Sequence, residues 1–258
     1  MFDEIRAFRE KLSRGEFCLG AGVSFFDPAV SEALGAVADF LWIDQEHCPI
    51  SIEAVQAHVI AARAARVPAL VRTPGSEVSF IKPALDSGAT GLIVPQVVSV
   101  EEVERVVSAC RYPPLGTRGF GPRRPSNYGL APIKDYLAEA NRDLFVSVQI
   151  ENKHALAVVE EIAAVPRLDS LVIGPADLSL SLGISMKDPQ LREAMRRIVA
   201  AARARGLSVG IGMGPDDDDF AVEAIGLGVN WLQVGGDFSY MVSFAAGLYG
   251  RIRERAKG

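Results

Sequence analysis

Four apolar runs in this sequence end in polar residues of the types that carry out chemistry. These residues are Asp44, Glu46, His47, Arg72, Glu151 and Asp177. They comprise acids, a base and a fixed cation, and scattered surface charges would rarely fall at the ends of four apolar runs. The set is therefore the candidate functional site of this chain.

Glu151 and Asp177 are the candidates for a metal site. Two carboxylates that leave other positions open suit Mg²⁺ or Mn²⁺, which take oxygen ligands and keep several waters or a chelating substrate. Either residue alone would more often be the N-cap of the helix that follows it. As a pair that follows two consecutive apolar runs, they favour a divalent cation.

Arg72 and His47 are the candidates for charge stabilisation and proton transfer. The forked, always protonated guanidinium of Arg72 can neutralise an enolate oxygen or bind a carboxylate. An ion pair with a neighbouring acid is the alternative for this residue. The imidazole of His47 is a natural general base near pH 7, and a structural role is its alternative.

Strands must bring these residues together, and the pattern predicts eight of them. The strands are expected over 17–24, 39–45, 68–73, 91–97, 144–151, 170–174, 208–213 and 231–235. Helical periodicity separates them, as over 51–66, 100–110, 153–164, 188–205 and 217–227. Eight strands alternating with helices favour a parallel (β/α)₈ TIM barrel, whose active site lies at the carboxyl ends of the strands. An open doubly wound sheet is the alternative, weakened because no GxGxxG turn follows the first strand.

Residues 112–127, with the sequence YPPLGTRGFGPRRPSN, form a long connection rich in Pro, Gly and Arg. A connection of this length inside a compact domain is usually functional. Arg123 and Arg124 are candidates for binding an anionic end of a substrate, although paired loop arginines usually face solvent.

Composition limits the classes of protein that this chain could be. The length of 258 residues, of which 49% are hydrophobic, predicts one barrel domain over 1–258. A net charge of −5 gives no electrostatic footprint for nucleic acid or an anionic membrane. The three cysteines are widely spaced and form no CxxC motif. They therefore favour a reducing compartment, and we expect a cytoplasmic protein.

Schiff-base chemistry is not expected, because it needs a desolvated lysine in the site. The lysines are Lys11, Lys82, Lys134, Lys153, Lys187 and Lys257. Of these, Lys153 alone lies near the end of a predicted strand. Electrophilic assistance to a carbonyl group is therefore expected from a metal and an arginine.

At these residues the sequence resembles the HpcH/HpaI family, the metal-dependent class II pyruvate aldolases. The motifs that carry the resemblance are Phe40-Leu-Trp-Ile-Asp44-Gln-Glu46-His47, Val71-Arg72, Tyr112-Pro-Pro-Leu-Gly-Thr-Arg118-Gly119, Val148-Gln149-Ile-Glu151 and Ile173-Gly-Pro-Ala-Asp177. They occur in the family's order, at similar spacing, over essentially the whole chain.

The resemblance implies a role for each of several residues. Glu151 and Asp177 would hold Mg²⁺, Mn²⁺ or Co²⁺. Arg72 would stabilise an enolate, and His47 would be the base. Asp44 or Asp86 would support the base, and Gln149 would line the pyruvate pocket. Arg72, Ala176, Arg118 and, from its place in the arginine-rich loop, Arg123 are also expected to contact the substrate.

The resemblance also implies an assembly and a reaction. The last helix would exchange between subunits, giving dimers that assemble into hexamers. The enolate of pyruvate would add to an aldehyde, or the reverse cleavage would occur. One branch of the family instead condenses acetyl-CoA with oxaloacetate to make citrate for siderophores, and that branch is the alternative. A non-catalytic binding barrel is a remote third reading.

Two departures from the family's pattern bear on the acceptor substrate. The loop that carries Arg123 and Arg124 is richer in arginine than in the familiar aldolases, and the stretch Gly210-Ile-Gly-Met-Gly214 is richer in glycine. Both segments are expected to face the acceptor. The identity of that acceptor is therefore left open by the sequence.

Overall fold

Eight parallel strands close into one barrel in chain order. The computed structural model describes residues 1–257. The strands are β1 (Cys18–Val23), β2 (Phe40–Asp44), β3 (Ala69–Arg72), β4 (Gly91–Val94), β5 (Phe145–Ile150), β6 (Ser170–Ile173), β7 (Ser208–Met213) and β8 (Trp231–Gly236). The predicted (β/α)₈ barrel is confirmed, and closure by pairing of β8 with β1 excludes the open sheet.

Helices precede, connect and follow the strands. They are α1 (Asp3–Ser13), α2 (Ala29–Gly35), α3 (Ile52–Ala64), α4 (Val78–Asp86), α5 (Val100–Cys110), α6 (Ile133–Asp143), α7 (Lys153–Ala157), α8 (Val159–Ala163), α9 (Pro175–Leu182), α10 (Pro189–Ala204), α11 (Asp218–Leu227) and α12 (Asp237–Arg255). The helix predicted over 153–164 is two short helices, because the backbone leaves helical geometry at Val158. The connection between α5 and α6 lacks helix and strand, as its composition predicted.

Aromatic side chains fill the amino-terminal end of the barrel. Phe40, Phe145 and Trp231 are the first residues of β2, β5 and β8, and Phe8 of α1 packs among them. Edge-to-face contacts join these rings, with centroids 5.4 Å apart for Phe40 and Trp231. Gly210 is required here, because a Cβ at that position would lie 2.2 Å from the Trp231 ring. The amino-terminal end is thus packed solid.

Hydrogen bonds to two buried residues, Asp237 and His58, hold the connection between β1 and α2 at the carboxyl end of the barrel. The buried carboxylate of Asp237 accepts hydrogen bonds from the backbone N–H groups of Ser24 and Phe25, at 2.7 and 2.9 Å. The fully buried His58 lies between Ser31 and the carbonyl oxygen of Phe25, at 2.8 and 2.9 Å. Because burial outweighs the neighbouring acceptors, the pKa of His58 is lowered.

Helix α12 differs from the other helices in how little of it is buried. Asp237 is its buried residue, whereas most of its large apolar side chains are exposed. The exposed set comprises Phe238, Met241, Val242, Phe244, Tyr249 and Ile252. Exchange of this helix between subunits, like the single-domain organisation over 1–258, stays a prediction. Within residues 1–257 no helix is long and apolar enough to cross a membrane.

Candidate active site

Two adjoining cavities open at the carboxyl ends of the strands. The inner cavity, of about 110 Å³, is lined by Trp42, Arg72, Gln149, Glu151, Ile173, Gly174, Pro175, Ala176, Asp177, Gly212 and Gln233. The outer cavity, of about 330 Å³, is lined by Gly22, Ser24, Trp42, Asp44, Arg72, Met213, Gly214, Pro215, Gln233, Gly235, Gly236, Phe238 and Ser239. Trp42, Arg72 and Gln233 belong to both and form the boundary between them.

Glu151 follows the last residue of β5 and is 1% exposed. Its Oε1 accepts a hydrogen bond from the backbone N–H of Gln96 at 2.7 Å, and its Oε2 accepts one from Nε2 of Gln149 at 2.7 Å. Burial raises the pKa of Glu151 to about 7, and the charges of Glu46 and Asp177 add to that rise. A nearby positive charge would stabilise its ionised form.

Asp177 stands in the first turn of α9, directly after β6. Pro175 begins that helix and Gly174 precedes it, and the turn brings Asp177 to the inner cavity beside Glu151. A Cβ at Gly174 would lie 2.6 Å from the carboxylate of Glu151, so glycine is needed where the two strands meet.

The donor atoms of the inner cavity fit a hard divalent cation. Among residues 1–257 no group of three or more His, Cys, Asp or Glu side chains forms a metal site. Two carboxylates line the cavity, and Oε1 of the nearly buried Gln149 has no hydrogen-bond partner in that same part of the chain. A cation that keeps several waters or a chelating substrate needs only such a small set of oxygen donors.

Arg72, the last residue of β3, is held rigidly by two acids. Its Nε and Nη2 donate to the two carboxylate oxygens of Asp44 at 2.9 and 2.7 Å, and its Nη1 lies 3.0 Å from Oε2 of Glu46. Burial alone would raise the pKa of Asp44, but the hydrogen bonds and charge of Arg72 outweigh it and lower that pKa. The ion pair considered as an alternative therefore exists, and Arg72 nevertheless lines both cavities.

His47 lines neither cavity, and 61% of its side chain is exposed. Its Nε2 is 3.6 Å from Oε2 of Glu46. Asp44, expected as a partner of the imidazole, instead binds Arg72 and accepts a weak bond of 3.4 Å from the backbone N–H of His47. Burial raises the pKa of Glu46, although Arg72 and His47 oppose that rise.

Two of the predicted site residues pair with each other at the opposite end of the barrel. Asp86 is the last residue of α4, which returns to the start of β4, and it lies 2.9 Å from Nη2 of Arg118. The buried Arg118 guanidinium also stacks over Tyr112, 4.6 Å from the ring centroid. Within one chain, therefore, Asp86 does not approach His47, and contact between them would require a second subunit.

The arginine-rich loop also lies away from the two cavities of its own chain. Arg124 lines a small cavity at the starts of β3 and β4, together with Ala69 and Thr90. Arg123 beside it is exposed. Of the glycine-rich stretch 210–214, Met213 and Gly214 line the outer cavity, whereas Gly210 packs against Trp231.

Sequence reasoning missed Gln233, which stands in the middle of β8 and lines both cavities. The signal was a single polar residue inside the apolar run Trp-Leu-Gln-Val. An amide at that position points to one face of the strand, and the sequence cannot tell whether that face is the barrel interior. Ala176 lines the inner cavity from the same turn as Asp177.

A closed parallel barrel with polar residues gathered at the carboxyl ends of its strands is the architecture of barrel enzymes. The chain matches the model of the HpcH/HpaI aldolase/citrate lyase family over residues 25–239, and it belongs to that family.

Relatives in both sequence and structure agree with this membership. The chain is 34% identical to the hydroxypyruvate/pyruvate aldolase of Deinococcus radiodurans, over 97% of this chain and 91% of that protein. It is 35% identical to the 4-hydroxy-2-oxovalerate aldolase of Rhodococcus jostii, over 99% of each chain. The crystal structure of citrate synthase SbnG matches with a TM-score of 0.86 at 29% identity, over 97% of this chain and 98% of that one.

Proposed function

We propose that this chain is a metal-dependent class II aldolase. It forms or cleaves the carbon–carbon bond between the enolate of pyruvate and an aldehyde. The observation that carries the proposal is that Glu151, Asp177 and Arg72 line one small cavity. Aldolase relatives at 34% and 35% identity over nearly the whole chain support a carbon–carbon lyase.

Glu151 and Asp177 would hold the divalent cation, with Gln149 beside them. Mg²⁺, Mn²⁺ and Co²⁺ are the candidates, because the donors are all oxygen atoms. When bound, the cation supplies positive charge that acidifies the carbon next to the keto group of a 2-oxo acid. The binding of a cation also requires the proton of Glu151 to leave, since burial raises the pKa of this group to about 7.

Side chains of this protein stabilise the enolate and transfer the protons. Arg72, fixed by Asp44 and Glu46, presents positive charge where the enolate oxygen develops and has little reorganisation to undergo. His47, which lies beside Glu46, takes the proton from C3 of the donor and later returns a proton to the product. The outer cavity holds the aldehyde.

The residues that line the cavities favour a mechanism in which a cation stabilises the enolate. They do not favour a mechanism that passes through an imine. Among the residues that line the two cavities there is no lysine. Lys153 is exposed at the start of α7. Arg72 is therefore the positively charged side chain available to the substrate from within the chain.

Condensation of acetyl-CoA with oxaloacetate is the second candidate function. The structural match to citrate synthase SbnG favours it, at a TM-score of 0.86. The charge on the site favours the aldolase, because oxaloacetate carries a second carboxylate. Within the described chain the one cation lining these cavities, Arg72, is already paired with two acids.

Assembly into dimers that form a hexamer, with α12 exchanged between subunits, completes the proposal. The exposed apolar face of α12 supports it, because such a face is usually covered by a partner. The position of Asp86, at the opposite end of its own barrel from His47, gives a second reason for a neighbouring subunit. The acidic composition and the few cysteines support a cytoplasmic location.

Removal of metal tests the proposed function. Exhaustive EDTA treatment should abolish cleavage of a 4-hydroxy-2-oxo acid. Without the cation, Arg72 alone cannot offset the negative charge of the enolate beside two carboxylates. Addition of Mg²⁺, Mn²⁺ or Co²⁺ should restore the activity. Full activity in protein shown by elemental analysis to be metal-free would contradict the proposal, whereas release of CoA from acetyl-CoA and oxaloacetate would favour the second candidate.

A further inference from the structure

Gln233 stands at the boundary between the two cavities and has no part in the chemistry described so far. It shares that boundary with Trp42 and Arg72. Trp42 is apolar over most of its surface, and Arg72 carries a positive charge fixed by Asp44 and Glu46. Gln233 is thus the neutral polar side chain at the point where the contents of the two cavities meet.

The two ends of the Gln233 amide face different cavities. A Cβ on Gly22, which lines the outer cavity, would lie 3.2 Å from Nε2, and a Cβ on Gly212, which lines the inner cavity, would lie 3.1 Å from Oε1. Nε2 donates to the carbonyl oxygen of Gly235. Because Nε2 makes this bond, Oε1, the acceptor of the amide, faces the inner cavity.

A donor bound in the inner cavity would have its reacting carbon near this oxygen. A 2-oxo acid held on the side of Glu151 and Asp177 must direct C3 toward the outer cavity, because the electrophile arrives from there. The boundary between the cavities therefore surrounds C3. Oε1 of Gln233 is a hydrogen-bond acceptor at that boundary, and a hydroxyl on C3 is a donor that matches it.

We propose that Gln233 is a specificity-determining residue that selects donors with a hydroxyl group on C3. The hydroxyl donates to Oε1, and hydroxypyruvate is the simplest such compound. The inference rests on the proposed function, since it assumes that a 2-oxo acid occupies the inner cavity. Pyruvate is also accepted, because a donor without the hydroxyl leaves Oε1 to water in a cavity that is open to solvent.

Exchange of C3 hydrogens with solvent tests this role without any acceptor aldehyde. The rates for hydroxypyruvate and pyruvate are followed by NMR in D₂O with Mg²⁺, after subtraction of the rate without enzyme. Gln233→Leu should lower the ratio of kcat/KM for hydroxypyruvate to that for pyruvate roughly three- to tenfold, the loss of one neutral hydrogen bond. Gln56→Leu, the same change at an exposed position of α3, should leave the ratio unchanged.

The outcomes separate this inference from the proposed function. An unchanged ratio in Gln233→Leu, or an equal loss for both donors, would overturn the role in selection and leave the aldolase intact. Gln233→Met keeps the length of the side chain and should lower the ratio in the same way, which guards against a folding defect in the leucine variant. No exchange of either donor by the wild-type protein would overturn the proposed function, and this inference with it.

Discussion

Arg72 shows how one side chain serves both the fold and the chemistry. Its guanidinium is fixed by a bidentate pair with Asp44 and by Glu46, and it still lines both cavities. Fixed charge of this kind is effective in catalysis because little reorganisation is needed when the charge on the substrate develops. The same fixation means that loss of the arginine leaves buried acids behind.

Arg72→Ala should therefore lower both kcat and stability. We expect a fall in kcat on the order of a hundredfold, as for the loss of one oxyanion donor. We expect a loss of about 3 kcal/mol in the free energy of unfolding, because Asp44 keeps a buried charge without its partner. Steady-state kinetics and thermal unfolding at pH 7 measure the two effects.

The double variant Arg72→Ala with Asp44→Asn separates these effects. Asparagine keeps the shape of the side chain and removes the unpaired charge, so much of the lost stability should return while kcat stays low. Recovery of kcat together with stability would show that Arg72 acts on folding alone.

At the scale of single residues, the sequence predicted which residues line the inner cavity better than it predicted which side chains pair with one another. Glu151, Asp177, Arg72 and Gln149 were expected at strand ends, and they line one cavity. The expected support of His47 by Asp44 or Asp86 is not formed within the chain, because Asp44 binds Arg72 and Asp86 binds Arg118. Competition among nearby charges depends on side-chain geometry that spacing along a strand does not encode.

At the scale of elements the strands were predictable, but the position of the long loop was not. Each apolar run became a strand because parallel strands covered on both sides are apolar along their length. Residues 112–127 were expected at the acceptor site, but Arg124 lies at the starts of β3 and β4. A helix that follows a strand returns to the amino end of the barrel, and the connection after α5 therefore begins there. The composition of the loop does not indicate at which end of the barrel it lies.

Helix α12 gives an element-scale prediction about assembly. Phe244→Glu places a charge on its exposed apolar face, where Phe244 is 71% exposed. If that face is covered by another subunit, the mass measured by light scattering should fall below that of the wild-type oligomer, because a buried unpaired charge is costly. Ile60→Glu on α3, where the isoleucine is 47% exposed, is the matched control and should keep the wild-type mass. A monomeric wild-type protein would contradict the proposed assembly.

At the scale of the whole molecule the two ends of the barrel have different tasks. Aromatic rings around Trp231 pack the amino-terminal end solid. The carboxyl ends of the strands leave two adjoining cavities, of which the inner one is lined by Glu151 and Asp177 and the outer one by Asp44. This division allows a donor to be activated in the inner cavity before an acceptor enters the outer one.

Activation of the donor before the acceptor enters can be measured as exchange of the methyl protons of pyruvate in D₂O without an aldehyde. We predict that the wild-type protein incorporates deuterium when Mg²⁺ is present. The incorporation should be lost after metal removal, in Glu151→Gln, and in His47→Ala, which removes the base. Retention of all methyl protons by the metal-loaded wild-type protein, with release of CoA from acetyl-CoA and oxaloacetate, would contradict the aldolase assignment.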